Sequence, residues 1–138
     1  MNDYFDKLIK LSEQGVADAQ HSLGWMYAKG NGVEQDYKQA FYWGKKAAEQ
    51  GHAGAQYKLG FMCEYGQGLA KDDAQAIHWY TKAAEQGYKS AQAKLGLIYF
   101  NGKGVAEDYI ISYKWAILAA AQGVEDANKL KKTLRKLM

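Results

Sequence analysis

Trp43, Trp79 and Trp115 stand 36 residues apart, and this spacing constrains the chain more than any other feature of its 138 residues. The same offset relates Leu23, Leu59 and Leu95, and also Gly24, Gly60 and Gly96. It relates the glycine pairs Gly30 and Gly32, Gly66 and Gly68, Gly102 and Gly104, then Asp36, Asp72 and Asp108, and finally Gly51, Gly87 and Gly123. These coincidences define three full copies, 19–54, 55–90 and 91–126, in a single repeat domain spanning 1–138. Partial copies flank them: Glu13-Gln14-Gly15 matches Glu49-Gln50-Gly51, and Ala127-Asn128 matches Ala91-Gln92. Stacked units of this size touch only their neighbours and generate an extended concave surface.

Each copy reads as two helices. In the first copy Ala19, Leu23, Met26 and Tyr27 fall at i, i+4, i+7 and i+8, the spacing of one buried face. Gly30-Asn31-Gly32 ends that helix, because glycine readily takes the left-handed conformation of a helix exit. Asp36 stands where an N-cap opens the second helix, and Ala40, Trp43, Ala47 and Ala48 form its apolar face up to Gly51 at the C′ position. The later copies repeat the scheme through Ala55, Leu59, Met62, Ala76, Trp79 and Ala83, then Ala91, Leu95, Ile98, Ser112, Trp115 and Ala119. Gly24 and its equivalents lie inside a helix, where glycine costs about 1 kcal/mol against alanine. Their recurrence predicts a helix crossing too close for a Cβ. The predicted fold is all-α: a solenoid of antiparallel helix pairs, about eight helices in all. Residues 1–18 are expected to form an N-terminal capping helix with Tyr4, Phe5, Leu8, Ile9 and Leu11 on its apolar face. Residues 127–138 are expected to form a basic C-terminal cap that buries Leu130, Leu134 and Leu137.

Composition removes several alternatives. Aromatic residues at 14% and apolar residues at 48% supply a core and argue against disorder. No run approaches the roughly 18–20 apolar residues of a membrane span. The start, Met1 to Lys7, has neither a basic leader nor an apolar stretch, which argues against a secretory signal. The net charge of +3 conceals an asymmetry, because Lys129, Lys131, Lys132, Arg135 and Lys136 crowd the C-terminal end with no acid among them. Without those five, 13 basic residues face 15 acidic ones, which is not the positive stripe of a nucleic-acid binder.

The pattern Ala-Gln-x-x-Leu-Gly-x-x-Tyr-x-x-Gly-x-Gly-Val, followed by Asp, Ala, Trp and Ala-Ala-Glu-Gln-Gly, resembles the Sel-one-like repeat, a relative of the tetratricopeptide repeat. The likeness covers essentially the whole chain. The period and the Gly-x-Gly turn fit this family better than the tetratricopeptide unit of about 34 residues. Cys63 and Leu69 depart from the pattern at its tyrosine and valine positions, and Ala121 departs at its glutamate position. The resemblance implies a right-handed superhelix serving as a protein–protein interaction scaffold, with no catalytic activity and no cofactor. Some secreted members staple each repeat with a cysteine pair. Cys63 is the only cysteine here, so that subtype is excluded and a reducing, cytoplasmic setting is expected.

In the tetratricopeptide relatives the first helix of each pair lines the groove. Transferred by position, the groove-lining candidates are Asp18, His21, Trp25, Ala28 and Lys29, then Gly54, Tyr57, Phe61, Glu64 and Tyr65, then Ser90, Ala93, Leu97, Phe100 and Asn101. Trp25, Phe61 and Leu97 make an apolar row spaced by 36, flanked by Tyr57, Tyr65 and Phe100, with His21 and Lys29 beside Trp25. Aromatic anchors of this kind dominate binding hot spots. The competing reading packs these side chains between adjacent first helices as part of the core.

Other chemistry finds weaker footing. His21, His52 and His78 occupy unlike repeat positions without ligand spacing, so no metal site is expected. Cys63 replaces a tyrosine of the buried face, and Asp72 shares its position with Asp36 and Asp108, which favours packing and capping over a hydrolase built on either residue. The Gly-x-Gly turns follow helices rather than strands and lack a phosphate loop's Lys-Ser/Thr ending. The expected role is a non-enzymatic adaptor that binds a protein or peptide, as a monomer or as a homodimer through the terminal helices, with neither nucleic acid nor membrane as partner. A bacterial immunity protein that neutralises a cognate toxin is the narrower alternative the family offers.

Overall fold

Asp36 Oδ1 accepts hydrogen bonds from the backbone N–H groups of Lys38 (3.0 Å) and Gln39 (3.2 Å), and helix α3 (Tyr37–Glu49) starts there. The computed structural model describes residues 3–138. Asp72 and Asp108 repeat the cap for α5 (Asp73–Glu85) and α7 (Tyr109–Ala121). The partner helices are α2 (Ala17–Lys29), α4 (Ala53–Tyr65) and α6 (Lys89–Asn101). Each ends on a glycine in the left-handed region, Gly30 at φ 68° being the first. α1 (Asp3–Glu13) and α8 (Glu125–Leu137) close the two ends, giving eight helices and no strand among the described residues.

Consecutive helices pack on one another along the chain, so the hairpins α2–α3, α4–α5 and α6–α7 stack in a row. α1 stands in the place of a preceding second helix and α8 in that of a following first helix. The first helices begin at residues 17, 53 and 89, two ahead of the 19, 55 and 91 used above to divide the sequence. A periodic chain has no intrinsic origin, so the period is unaffected.

The tryptophans occupy equivalent places. Trp43 packs on Leu8, Ala19 and Leu23, and Trp79 packs on Ala47, Ala48, Ala55 and Leu59. Trp115 shares its cluster with Ala83, Ala84, Ala91 and Leu95, the residues 36 further on. Each indole therefore joins a repeat to the helix before it. The helical glycines mark close crossings, as expected: a Cβ on Gly24 would lie 3.2 Å from the Ala40 carbonyl oxygen. On Gly60 it would lie 2.7 Å from the ring of Tyr80.

A hydrogen-bonded brace runs through the stack. Gln20, Gln56 and Gln92 are buried, and each donates from Nε2 to a carbonyl of the preceding helix: Ser12, Ala48 and Ala84. Their Oε1 atoms accept from Gln50, Gln86 and Gln122 at 2.8–2.9 Å. Gln86 and Gln122 also donate to the Gly51 and Gly87 carbonyls. A buried amide left unsatisfied is costly, so this ladder fixes how one hairpin sits on the next.

The caps bury less than their sequences suggest. Leu8, Leu130 and Leu134 are buried, but Tyr4, Leu11 and Leu137 are exposed, contrary to expectation. A helix at the end of a row has a neighbour on one side only, so it buries a narrow stripe rather than a broad face.

Candidate functional site

Trp25 and Phe61 are equivalent residues on α2 and α4, and the stacking of those helices opens a cleft of about 250 Å³ between them. His21, Trp25 and Lys29 line it from α2, and Tyr57, Lys58 and Phe61 line it from α4. Trp25 is 44% exposed and Phe61 is half-buried. Six residues of the expected groove, His21, Trp25, Lys29, Gly54, Tyr57 and Phe61, thus converge, and the fully packed-core reading fails for Trp25. Tyr57 forms the floor, its ring 5.5 Å from that of Tyr80 and 5.3 Å from that of Tyr88.

Two cations sit over this aromatic surface. Lys29 Nζ lies 4.9 Å from the centre of the Trp25 ring, and Lys58 Nζ lies 5.5 Å from Trp25 and 5.1 Å from Phe61. Burial, reinforced by Lys29, holds the Lys58 ammonium below its ordinary pKa. Lys58 is not among the groove residues that position beside the buried stripe selects, although it stands three residues before Phe61 and so one helical turn from it.

The other expected groove residues divide. Tyr65 is exposed and its ring lies 4.6 Å from that of Phe61, so the aromatic row continues one turn along α4. Leu97 is exposed on α6, outside the cleft. Phe100 departs from the expected row. It stacks on Tyr109 and packs against the cluster of Ala116, Leu130 and Leu134, because α8 supplies an apolar surface beside it. Phe100 is partly buried there, and its equivalents Ala28 and Glu64 are buried.

Glu64 organises the middle of the groove. It accepts from the Tyr80 hydroxyl at 2.7 Å and pairs with Lys103 at 2.9 Å and Lys94 at 3.3 Å. Burial pushes its carboxyl up, but the bonds from Tyr80, Lys103 and Lys94 outweigh this and hold it below its ordinary pKa. Tyr80 stands where the other copies carry Gly44 and Ala116, so this network is peculiar to one repeat.

At the cleft's edge the His21 and His52 rings lie 4.5 Å apart. His52 Nδ1 accepts from the Ala55 N–H, which places its proton on Nε2, facing Asp18 Oδ1 at 2.9 Å. Both nitrogens are engaged, so His52 acts as helix cap and inter-repeat tie. Burial, with His52 adding to it, lowers the His21 pKa to about 4. The unfolded chain therefore binds a proton there that the folded chain does not, and the folded state is favoured fully above about pH 6.5. Lowering the pH from 6.5 to 4 is expected to remove about 1–2 kcal/mol of stability, allowing for solvent screening at this partly exposed ring. Urea midpoints measured across that range should fall more steeply for the wild type than for His21→Gln; identical slopes would contradict the assignment.

The residues weighed for hydrolysis hold structural posts. Cys63 is buried, and burial, aided by Asp72, raises its thiol pKa, the reverse of what a nucleophile needs. Asp72 Oδ1 accepts from the Gln75 N–H as the cap of α5. On α8, Lys129, Lys132, Arg135 and Lys136 are exposed, and Arg135 donates to the Tyr113 hydroxyl. No helix among the described residues is long and apolar enough to cross a membrane.

Stacked 36-residue helical hairpins with an open aromatic cleft on the first-helix layer define a helical-repeat solenoid. The Sel1 repeat matches the chain at residues 17–52, 53–88 and 89–124, and the chain belongs to the Sel1 repeat family. Among solved structures it is similar to a protective antigen of uropathogenic Escherichia coli strains displaying an SLR fold, at 43% identity and a TM-score of 0.87. A Sel1 repeat protein from Oxalobacter formigenes follows at 38% and 0.86, and Helicobacter pylori cysteine-rich protein B at 25% and 0.71. These alignments cover 91%, 92% and 91% of this chain, and 27%, 37% and 93% of the respective relatives. The chain thus spans about a third or less of the length of the first two. No curated protein sequence matches it significantly.

Proposed function

We propose that the chain is a non-enzymatic interaction scaffold that binds a partner protein or peptide in the groove along α2, α4 and α6. The observation that carries this reading is the convergence of His21, Trp25, Lys29, Tyr57 and Phe61 on one open cleft. An indole left 44% exposed beside a half-buried phenyl ring is the kind of anchor surface from which interfaces draw most of their energy. A cytoplasmic setting belongs to the same reading and is supported by the single cysteine, Cys63, which is free and buried.

Affinity capture from a native lysate with mass spectrometry, repeated with the Trp25→Ala/Phe61→Ala double variant, tests the reading. The double variant is expected to weaken a cognate complex by at least about a hundredfold, since each anchor removed from such a site costs about 2 kcal/mol. A circular-dichroism melt checks that the variant still folds. Equal affinity of the folded variant would move the binding surface elsewhere.

A further inference from the structure

The middle repeat contains a carboxylate site satisfied from within the chain, and the first repeat keeps one of its two cations, with a glutamine in place of the other and no carboxylate. One copy back from Lys94, Lys103 and Glu64 stand Lys58, Gln67 and Ala28. Lys94 and Lys103 both pair with Glu64, whereas neither Lys58 nor Lys29 has a carboxylate partner among the described residues. Ala28, Lys29, Lys58 and Gln67 instead line a cavity of about 290 Å³. This cavity adjoins the Trp25 cleft, with which it shares Lys29, Lys58 and Phe61. The Gln67 side-chain oxygen is buried without a hydrogen-bond partner, and the amide turned about its last torsion offers its NH₂ group at the same place.

Charge agrees with geometry. Lys29, Lys58, Lys94 and Lys103 gather along this groove with the carboxylate of Glu64 and, at its edge, that of Asp18, while residues 1–128 as a whole carry 13 basic and 15 acidic side chains. The groove is locally cationic on a body that is slightly acidic. Two ammonium groups held over aromatic rings in a partly buried cleft repel each other until an anion joins them.

We propose that the cavity beside Ala28 receives an acidic side chain of the partner, placed beside Lys58, Gln67 and the neighbouring Lys29 where Ala28 leaves out the carboxylate that Glu64 supplies one copy on, while a neighbouring apolar side chain of the same segment enters the Trp25–Tyr57–Phe61 cleft. The partner is therefore a protein segment pairing a carboxylate with an aromatic or aliphatic anchor. This deepens the groove reading and rests on it.

The probe is a random peptide display library selected on the whole chain, with the enriched peptides resynthesised for titration. Enriched sequences are expected to place Asp or Glu close to Leu, Phe, Tyr or Trp. Their affinity is expected to fall about tenfold in Lys29→Gln/Lys58→Gln, the range of a charge-assisted hydrogen bond, and to remain in Lys131→Gln/Lys132→Gln. Ala28→Glu supplies the carboxylate in cis and should weaken binding well beyond Ala28→Gln, which has the same size without the charge. Should Ala28→Glu not fold, the lysine variants carry the comparison alone. Neutral or basic consensus sequences, or binding indifferent to the two lysines, would overturn the carboxylate site. Such peptides leave the groove reading standing where they still lose affinity in Trp25→Ala/Phe61→Ala, and they end it where they do not. Absence of enrichment overturns the inference, as does an oligothymidylate or a phosphatidylserine vesicle that binds through Lys29 and Lys58 as tightly as the best peptide.

Discussion

Tyr80→Ala is expected to lower the free energy of unfolding by about 3–5 kcal/mol, a large share of the roughly 5–15 kcal/mol that holds a domain of this size together. Tyr80 is 0% exposed and is the largest fully buried side chain of the fold. Its ring fills the space over Gly60, and its hydroxyl is one of three donors to the buried Glu64 carboxylate. Truncation therefore opens a cavity and removes a hydrogen bond from a charge. Tyr80→Phe separates the two effects and should cost only about 1–2 kcal/mol, because the lysines still reach Glu64. Gly60→Ala tests the fit from the other side. Its new methyl group would lie 2.7 Å from a ring with nowhere to go, at a cost of about 1–3 kcal/mol. In a Tyr80→Ala background the ring contact is gone and the Ala76 carbonyl oxygen, 3.1 Å away, is what still crowds the methyl group, so Gly60→Ala should cost less there and the pair should be non-additive. Urea unfolding at constant m-value reads all four variants. A loss below about 1 kcal/mol for Tyr80→Ala would show that the ring does not hold the middle of the stack.

The second large effect belongs to the glutamine ladder. Gln56→Leu keeps the volume of a buried side chain but takes the Nε2 donor from the Ala48 carbonyl, which keeps the Gly51 N–H at 3.0 Å, and the Oε1 acceptor from the Gln86 amide, which keeps the Gly51 carbonyl at 2.9 Å. We expect a loss of about 1–2 kcal/mol, the net worth of two inter-helix hydrogen bonds whose groups each keep one other partner. Gln86→Leu should cost less, since Gln86 is exposed and water replaces part of what it gives up. The Gln56 loss should also be uneven along the chain. In a row of repeats each interface contributes separately, so cutting the second rung weakens the joint between α3 and α4 first. Hydrogen exchange should show α2 and α3 losing more protection than α6 and α7. A uniform loss along the chain would contradict the view that the ladder acts joint by joint.

Much of this fold is legible in the sequence because its cause is periodic. The 36-residue spacing, the aspartate caps and the glycine exits each follow from short-range rules, and α2 to α7 occur where those rules put them. The ladder was in view as Ala-Gln and Glu-Gln-Gly, yet its meaning depends on where two amides meet across 30 residues, which local patterns do not state. Tyr4, Leu11 and Leu137 misled because helix periodicity says which side chains share a face, not how many neighbours that face has. The cleft is partly legible: position relative to the buried stripe selects Trp25, Phe61 and Tyr57, which line it. Phe100 failed the same rule because α8 lies beside it, where Ala28 and Glu64 meet different surroundings. Lys58 is not legible as a cleft residue, because a lysine on a helix reads as solvated and only the fold brings two aromatic rings beneath its ammonium group.

The most direct measurement of the proposed binding site uses the four tryptophans as internal reporters. In an ¹H–¹⁵N spectrum each indole N–H gives its own resonance, and Trp25 alone belongs to the cleft, while Trp43, Trp79 and Trp115 are packed between helices. Titration with a captured partner or a selected peptide is expected to shift Trp25 strongly and saturably and to leave the other three close to their free positions. Saturable binding that leaves Trp25 in place would contradict a groove-bound partner.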